Sequence, residues 1–528
     1  MAYEVFPFKG FGNGLDLESA VDAIDPASSI DCMNVEFTEK GAVKQREGYT
    51  QFTNAALTNP VQSVFGCTID GTKYLLAGCG TRLEAMGVDG VVDASQTGLT
   101  DAVMSFARIS IPADELVYCG NGTDLLHTWN GSAFASIANS PKAGALAVMG
   151  FQTSGSNRMV ASKFSTTTGG PSGGTTNPSR VHFSDPGAPS VWTAANYVDL
   201  TPGDGESIQN IIAWREFVFV FKESKYFVFT GESVQNDGTA LFNYYTVDTG
   251  KGLVSPRAVC ADQGGVYFLS TFGIQRTVGG EPRTISNPIE PIFNNTSSSF
   301  YQGGNLNHTY LTSATLACHQ EKIYFSYTIV GATTNSRTMV YDVHDGWWSV
   351  WDLVVSDATS FAVGAIPELV FGYASGTNDI GRMNAGATND DAVAISSRWR
   401  SGWSDFDMTE TKKVRQMKGW GQGVARVKAS VDYGEATAQG SVTFTTTTTP
   451  QTWADGTDAT DLWGDGTDNS LTWGPDPASS ALAGKTIRVG AVVGTLLNVE
   501  FTNSTLDQNW AMHRFELHIP AVRQPAVV

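Results

Sequence analysis

A short β-rich run, a tight turn and a second β-rich run recur along this chain, and that recurrence limits its fold more than any other feature. Within 180–231, the runs 211–214, 217–222 and 226–230 are apolar and rich in aromatic and β-branched residues. Arg215-Glu216 and Glu223-Ser224-Lys225 separate them. Such runs read as successive antiparallel strands, and none has the 3.6-residue period of a helix. The pattern returns at 61–68, 73–79 and 81–88 around Asp70-Gly71, and at 115–119 and 124–129 around Asn121-Gly122. It returns again at 266–270 and 274–278 around Phe272-Gly273, at 322–330 and 338–343, and at 369–374 and 380–383. Strand–turn–strand units at a period of roughly 40–60 residues are the signature of a β-propeller. The sequence predicts an all-β chain whose residues 51–395 form a propeller of six to eight blades, seven favoured. A stack of β-sandwiches is the alternative architecture.

Outside that region the pattern changes. Residues 1–50 read as a strap laid over a later domain, with a short helix at 15–24 ended by Asp25-Pro26 and a hairpin of 32–37 with 42–46. The Gly/Ser/Thr stretch 162–179 reads as a long exposed loop. Residues 396–528 read as a separate antiparallel β-sandwich, with strands at 396–403, 412–420, 425–433, 441–449, 486–493, 496–502 and 512–519. An arm is inserted in it at 450–478. There Trp453, Trp463 and Trp473 recur every ten residues and anchor stacked Asp-Gly turns, and Asp455, Asp458, Asp461, Asp465, Asp468 and Asp476 have no basic residue among them.

Charge bears on partners. The formal net charge is −19 and the sequence pI about 4.7, which argues against gripping nucleic acid through its phosphates. Six cysteines lie scattered without a C-x-x-C pair, and with seven histidines they form no zinc spacing. They read as buried free thiols of a protein folded in a reducing cytoplasm. The first residues, MAYEVFPFKGFG, lack a basic region followed by an apolar core, and no window of 18 uncharged apolar residues offers a membrane span.

Catalysis asks for a base, a nucleophile or a charge stabiliser within reach of one another. The chain has no G-x-S-x-G, H-E-x-x-H, Walker A or G-x-G-x-x-G in context. Ser184-Asp185-Pro186-Gly187 followed by Trp192 approaches the Asp-box of sialidase propellers, but its spacing fails and it reads as a structural turn. Trp347, Trp348 and Trp351 read as blade packing rather than a sugar platform. Each D-G-T-D of the arm offers two carboxylates three residues apart, so Ca²⁺ would need loops to cooperate; hydrated acidic hairpins are the simpler reading. The sequence therefore points to a protein that is not an enzyme and that has no catalytic residue, cofactor or metal site.

Four blocks carry a family resemblance. The first is D-x-x-N-V-x-F-x-x-x-G-x-x-x-x-R-x-G-Y, here Asp31, Asn34, Val35, Phe37, Gly41, Arg46, Gly48 and Tyr49. The second runs from V-x-F-S-D-P-G through D-G-E-S-I to V-F-K-E-S-x-Y-x-x-F-x-G within 180–231. The third is VYFLSTFGIQR (266–276) with MVYDVHDGWWSVWDL (339–353), and the fourth is the stretch 399–434. Together they resemble bacteriophage tail proteins that carry a β-propeller, above all the tail nozzle or hub of short-tailed phages. The resemblance implies a virion structural protein, assembled in the bacterial host cytoplasm and located in the tail. It implies a homo-oligomeric ring, usually a hexamer, that extends and gates the DNA ejection channel. Its neighbours would be the adaptor or portal-proximal proteins and the tail fibres or spikes. Phage DNA would pass the lumen without specific binding. The arm has no counterpart in the resemblance; its acidic charge, which repels phosphates, makes the six aspartates candidates to line or gate that lumen, and an outward arm or 162–179 loop touching a fibre or the host envelope is the alternative. A minor tail or tip protein that binds a host glycan or receptor is the alternative, and a propeller glycosidase a further one.

Overall fold

The computed structural model describes residues 3–8, 10–38, 41–111, 114–150, 157–164, 177–234, 240–374, 376–383, 386–405, 412–434, 436–444 and 483–520. It is a seven-bladed β-propeller with one additional barrel-like sheet. Two compact units result: Leu15–Ser19 with Glu47–Val393, and Met1–Gly14 with Ala20–Arg46 and Ala394–Val528.

In the propeller, six blades are four-stranded meanders of consecutive strands. Their innermost strands are Val61–Ile69, Ser105–Ile111, Ala143–Met149, Asn210–Trp214, Val259–Asp262 and Thr315–His319, which open blades 1 to 6. Blade 7 takes Val355–Phe361, Glu368–Tyr373 and Ile380–Met383 from the end of the propeller and Tyr49–Gln51 from before its beginning. The closing pairs are Gly381 with Gln51, Arg382 with Thr50 and Met383 with Tyr49, antiparallel.

The core sits between blades, where the faces of adjacent sheets meet. Ala147, Met149, Val181 and Phe183 of blade 3 pack with Ile211, Val218, Phe227 and Phe229 of blade 4. Comparable clusters join blades 7 and 1, 1 and 2, 2 and 3, and 4 and 5. A strand buried on both faces reads as a continuous apolar run rather than an alternating one, which is why FVFVF (217–221) has four fully buried residues in a row after Phe217. Trp347, Trp348 and Trp351 are buried in the same way.

The second unit is a single eleven-stranded sheet rather than two packed ones, which corrects the expected sandwich. Its spine is one 20-residue strand, Lys412–Val431, where the sequence suggested two. The strand continues without interruption through Gly421 and Gly423, with a bulge at Trp420/Gly421. At Gly423, φ is +74° and a Cβ would stand 2.0 Å from the Asn509 carbonyl oxygen. Glycine is required there for close backbone approach, not for a turn. One flank of the spine pairs with Ala483–Gly494 and then Ala436–Phe444; other segments pair with Trp510–Pro520 and Leu497–Asn503.

The expected strap is part of the structure's sheets. Tyr3–Phe8 pairs with Trp510–Pro520, and Ser28–Met33 with Ser397–Ser401. The expected hairpin is present as Val35–Phe37 with Val43–Gln45. The expected helix at 15–24 is absent: Asp16 accepts from the amides of Glu18 and Ser19, and Asp25 from that of Ala27. Such local side-chain bonds compete with a helical ladder. A second correction concerns sulfur. Cys260 and Cys318, on the inner strands of blades 5 and 6, form a disulfide, while Cys32, Cys67, Cys79 and Cys119 are buried free thiols.

Gly48, just before the closing strand, leaves no room for a side chain: a Cβ would lie 1.8 Å from the Asn389 carbonyl oxygen. Gly48→Ala is expected to destabilise the propeller by about 1–3 kcal/mol, measured as a lowered midpoint of its unfolding transition in urea.

Candidate functional site

The six aspartates Asp455, Asp458, Asp461, Asp465, Asp468 and Asp476 and their anchors Trp453, Trp463 and Trp473 lie outside the described residues. The structure does describe where that segment is rooted. Phe444 pairs with Gly423 and Ala483 with Gly421, two residues apart on the spine strand. The segment 445–482 is therefore an insertion between two strands that follow one another along the same partner.

Among the described residues the polar centre is the axis of the propeller. Adjacent inner strands are joined there by side chains. Ser63 Oγ donates to the Ala102 carbonyl and accepts from the Met104 amide, joining blades 1 and 2. Ser105 Oγ accepts from the Leu146 amide, between blades 2 and 3. Asn210 donates to the Pro256 carbonyl, Ser255 to that of Ala314 and Asn335 to that of Val355. Asp357 accepts from the Val64 amide and so joins blade 7 to blade 1.

One side chain crosses this ring. Arg257, at the entry to blade 5, donates from Nη2 to the Gln62 carbonyl of blade 1 and the Ser356 carbonyl of blade 7, each at 2.6 Å. The same nitrogen lies 3.6 Å from Asp357 Oδ1. Burial pushes the Asp357 carboxyl above its ordinary value, and Arg257 with the Val64 amide pulls the other way. Lys163 reaches this mouth from blade 3. Its Cδ lies 3.5 Å from where a Cβ on Gly144 would stand, so the glycine makes its space. Desolvation lowers the Lys163 pKa, Arg257 lowers it further and Asp101 opposes both. The lysine is nonetheless solvent-exposed, as befits a side chain inside a protein-walled opening. Two cations set against two carboxylates make a near-neutral polar plug. Through Arg257 it binds blade 5 to blades 7 and 1.

A second polar lock lies in the stretch 177–225. Lys222 is fully buried. Its Nζ donates to Asp204 Oδ2 at 2.8 Å, to Ser179 Oγ at 3.0 Å and to Thr201 Oγ1 at 3.2 Å. Burial raises the Asp204 carboxyl, but bonds from Lys222, Thr201 and the Glu206 amide outweigh it and hold the group well below the usual carboxylate range. Asp185, from the Asp-box-like stretch, accepts from Thr193 Oγ1 and Asn196 Nδ2 and shapes its own turn. The free thiols Cys67 and Cys79 are pushed up to about 12 by burial, so they stay protonated. No group of three or more His, Cys, Asp or Glu among the described residues could hold a metal ion.

Sequence reasoning reached neither Arg257, Asp357 nor Lys163. A lone Arg in V-S-P-R and a lone Asp in V-S-D-A carry no spacing that marks them. Lys222 and Asp204 did stand in a singled-out block, without a hint that they pair.

No family model matches this chain, and no curated protein does. Solved structures similar to it include BBS1N in complex with ARL6DN, at 12% identity and a TM-score of 0.39, covering 65% of this chain and 99% of that one. Another is the computationally designed Ika8 protein, at 11% identity and a TM-score of 0.33, covering 64% of this chain and 100% of that one.

Lys222→Met is expected to cost about 1–3 kcal/mol, because the charged hydrogen bonds of Lys222 are lost and Asp204 keeps only Lys225 as a cationic partner, at 3.5 Å; thermal unfolding at neutral pH measures it. Acid has a predictable effect through two buried histidines. Desolvation, aided by Arg180, lowers His182 to about 4, and desolvation, aided by Lys322, lowers His319 to about 4. Both fold neutral and take up protons more readily when unfolded, so their contribution to stability is intact above the unfolded value of about 6.5 and is lost as pH falls towards 4. For His182, buried with neither ring nitrogen bonded, the loss amounts to about 3 kcal/mol at the acid end. His182→Phe should flatten the pH dependence of the melting temperature over that window.

Proposed function

We propose that the chain is a structural component of a bacteriophage tail, a ring-forming nozzle or hub that extends the DNA channel and holds it closed until infection. One observation carries this reading: the residues of the family resemblance are framework residues. Asp31 pairs with Arg398 at 2.6 Å, and Asn34 donates to the Ser396 carbonyl and accepts from Arg46. Gly48 admits Asn389, and Tyr49 packs against Phe371 and Tyr373. The second block contains the Lys222–Asp204 lock. A motif spent on joining distant parts of the chain suits a protein whose work is mechanical.

With Arg257 tied across the propeller axis, a DNA channel would run between copies arranged in a ring, usually six in such tails, and not through the propeller. The net charge of −19 suits a lumen past which phosphates slide. The six aspartates of 455–476 are the proposed lining or gate. The adaptor or portal-proximal proteins and the fibres or spikes are the proposed neighbours. A second reading, a tip protein that binds the host surface, draws on Phe272 and Val330, each 61% exposed on loops of the adjacent blades 5 and 6.

Electron microscopy of the purified chain, and of the chain added to particles from a tail-less mutant, tests the proposal. Closed rings that seat on those particles are the expected result. Persistent monomers that bind host glycans would favour the second reading and remove the first.

A further inference from the structure

The outward row of the spine strand Lys412–Val431 carries positive charge in an acidic protein. The strand holds six basic residues and no acidic one. Met417, Gly419, Gly421, Ala425, Val427, Ala429 and Val431 are buried, whereas Lys418, Trp420, Arg426 and Lys428 on the opposite face are not. Across the sheet Arg514 lies opposite Trp420. Lys418 Nζ and Arg514 Cζ each stand 4.7 Å from the Trp420 ring centre, so the indole lies between two cations. The acids on this face are Glu516, which lies opposite Lys418 and pairs with Arg514, and Glu500, opposite Lys428. Lys418, Arg426 and Lys428 have no ion-pair partner among the described residues.

The complementary charge is in the same chain. Most of the net −19 falls between residues 47 and 393, the propeller. We propose that the Lys418–Trp420–Arg426–Lys428 row is a subunit contact that docks on the acidic propeller surface of a second copy of this chain. The proposal rests on the ring-forming reading above and names the contact that builds the ring. A basic face meeting a different, acidic face is a heterologous contact, and heterologous contacts close into rings or run on as filaments. Opposite charge sets encounter and register, and the Trp420 ring supplies apolar surface that loses water on docking. Duplex DNA is the other polyanion such a row could meet, but the acid of the remaining chain repels it at long range.

The test uses the full chain and a Lys418→Glu/Arg426→Glu/Lys428→Glu variant, with sedimentation velocity at ~0.05 M and ~0.5 M salt, where screening differs several-fold. The native chain is expected to associate at low salt and dissociate at high salt. The variant should associate at least about tenfold more weakly with an unchanged near-ultraviolet circular dichroism spectrum. Should the Glu variant lose that spectrum, the corresponding Gln variant reads the same quantity. Unchanged association of a folded variant overturns the inference. So does a native chain that stays monomeric at both salts, or a variant that loses binding to a duplex DNA oligonucleotide while associating normally. Binding to tail-less particles, measured alongside, judges the tail reading separately: its loss in the native chain sinks that reading, and its survival in a non-associating native chain sinks only the contact.

Discussion

A ring of blades has two free ends, and here three residues join them. Tyr49, Thr50 and Gln51 precede the first blade in sequence and complete the last one in space. Without them blade 7 would end at Ile380–Met383 with an unpaired edge. The Phe52 amide extends the closure by donating to the Ile380 carbonyl at 2.7 Å. The rest of the propeller depends on this seam because each blade is held by its two neighbours, so opening the ring anywhere exposes two apolar faces.

The axis shows the same economy of means. Inner strands of neighbouring blades are linked by serine, asparagine and aspartate side chains to main-chain groups. Arg257 then spans blades that are not neighbours. Buried polar groups of this kind are costly when unpaired and specific when paired, so they fix the order and spacing of blades that apolar contact alone leaves free to slide. The Cys260–Cys318 bridge adds a covalent tie between blades 5 and 6 at the same radius. The function proposed for the chain asks for this kind of frame: a rigid part whose charge, not its chemistry, governs what passes beside it.

The propeller and its period were legible because short apolar β-rich strands between charged or Gly-containing turns leave a strong pattern, as in 211–230. Blade strands such as Ser105–Ile111 and Ala143–Met149 were less so. AGALAVM has the small residues that fit a crowded axis, and these carry little β signal. The expected thiols misread Cys260 and Cys318, which lie 58 residues apart in sequence and meet only because consecutive blades repeat the same inner position. The expected sandwich failed for a related reason. Residues 3–8, 28–33 and 43–45 pair with strands from the far end of the chain, and no local pattern announces a partner several hundred residues away. At the axis, Arg257 and Asp357 act through where the fold brings them, so spacing offered no sign of either.

The claim most directly open to measurement is that the segment before blade 1 is part of blade 7. Native-state hydrogen exchange of the amides in 49–52 and 380–383 reads it. If the strand closes the ring, those amides exchange only through the large opening that also exposes the cores of blades 1 to 6. If they exchange rapidly, at rates of a frayed chain end, while the six blades stay protected, the ring is closed by something else and the account of the propeller is wrong.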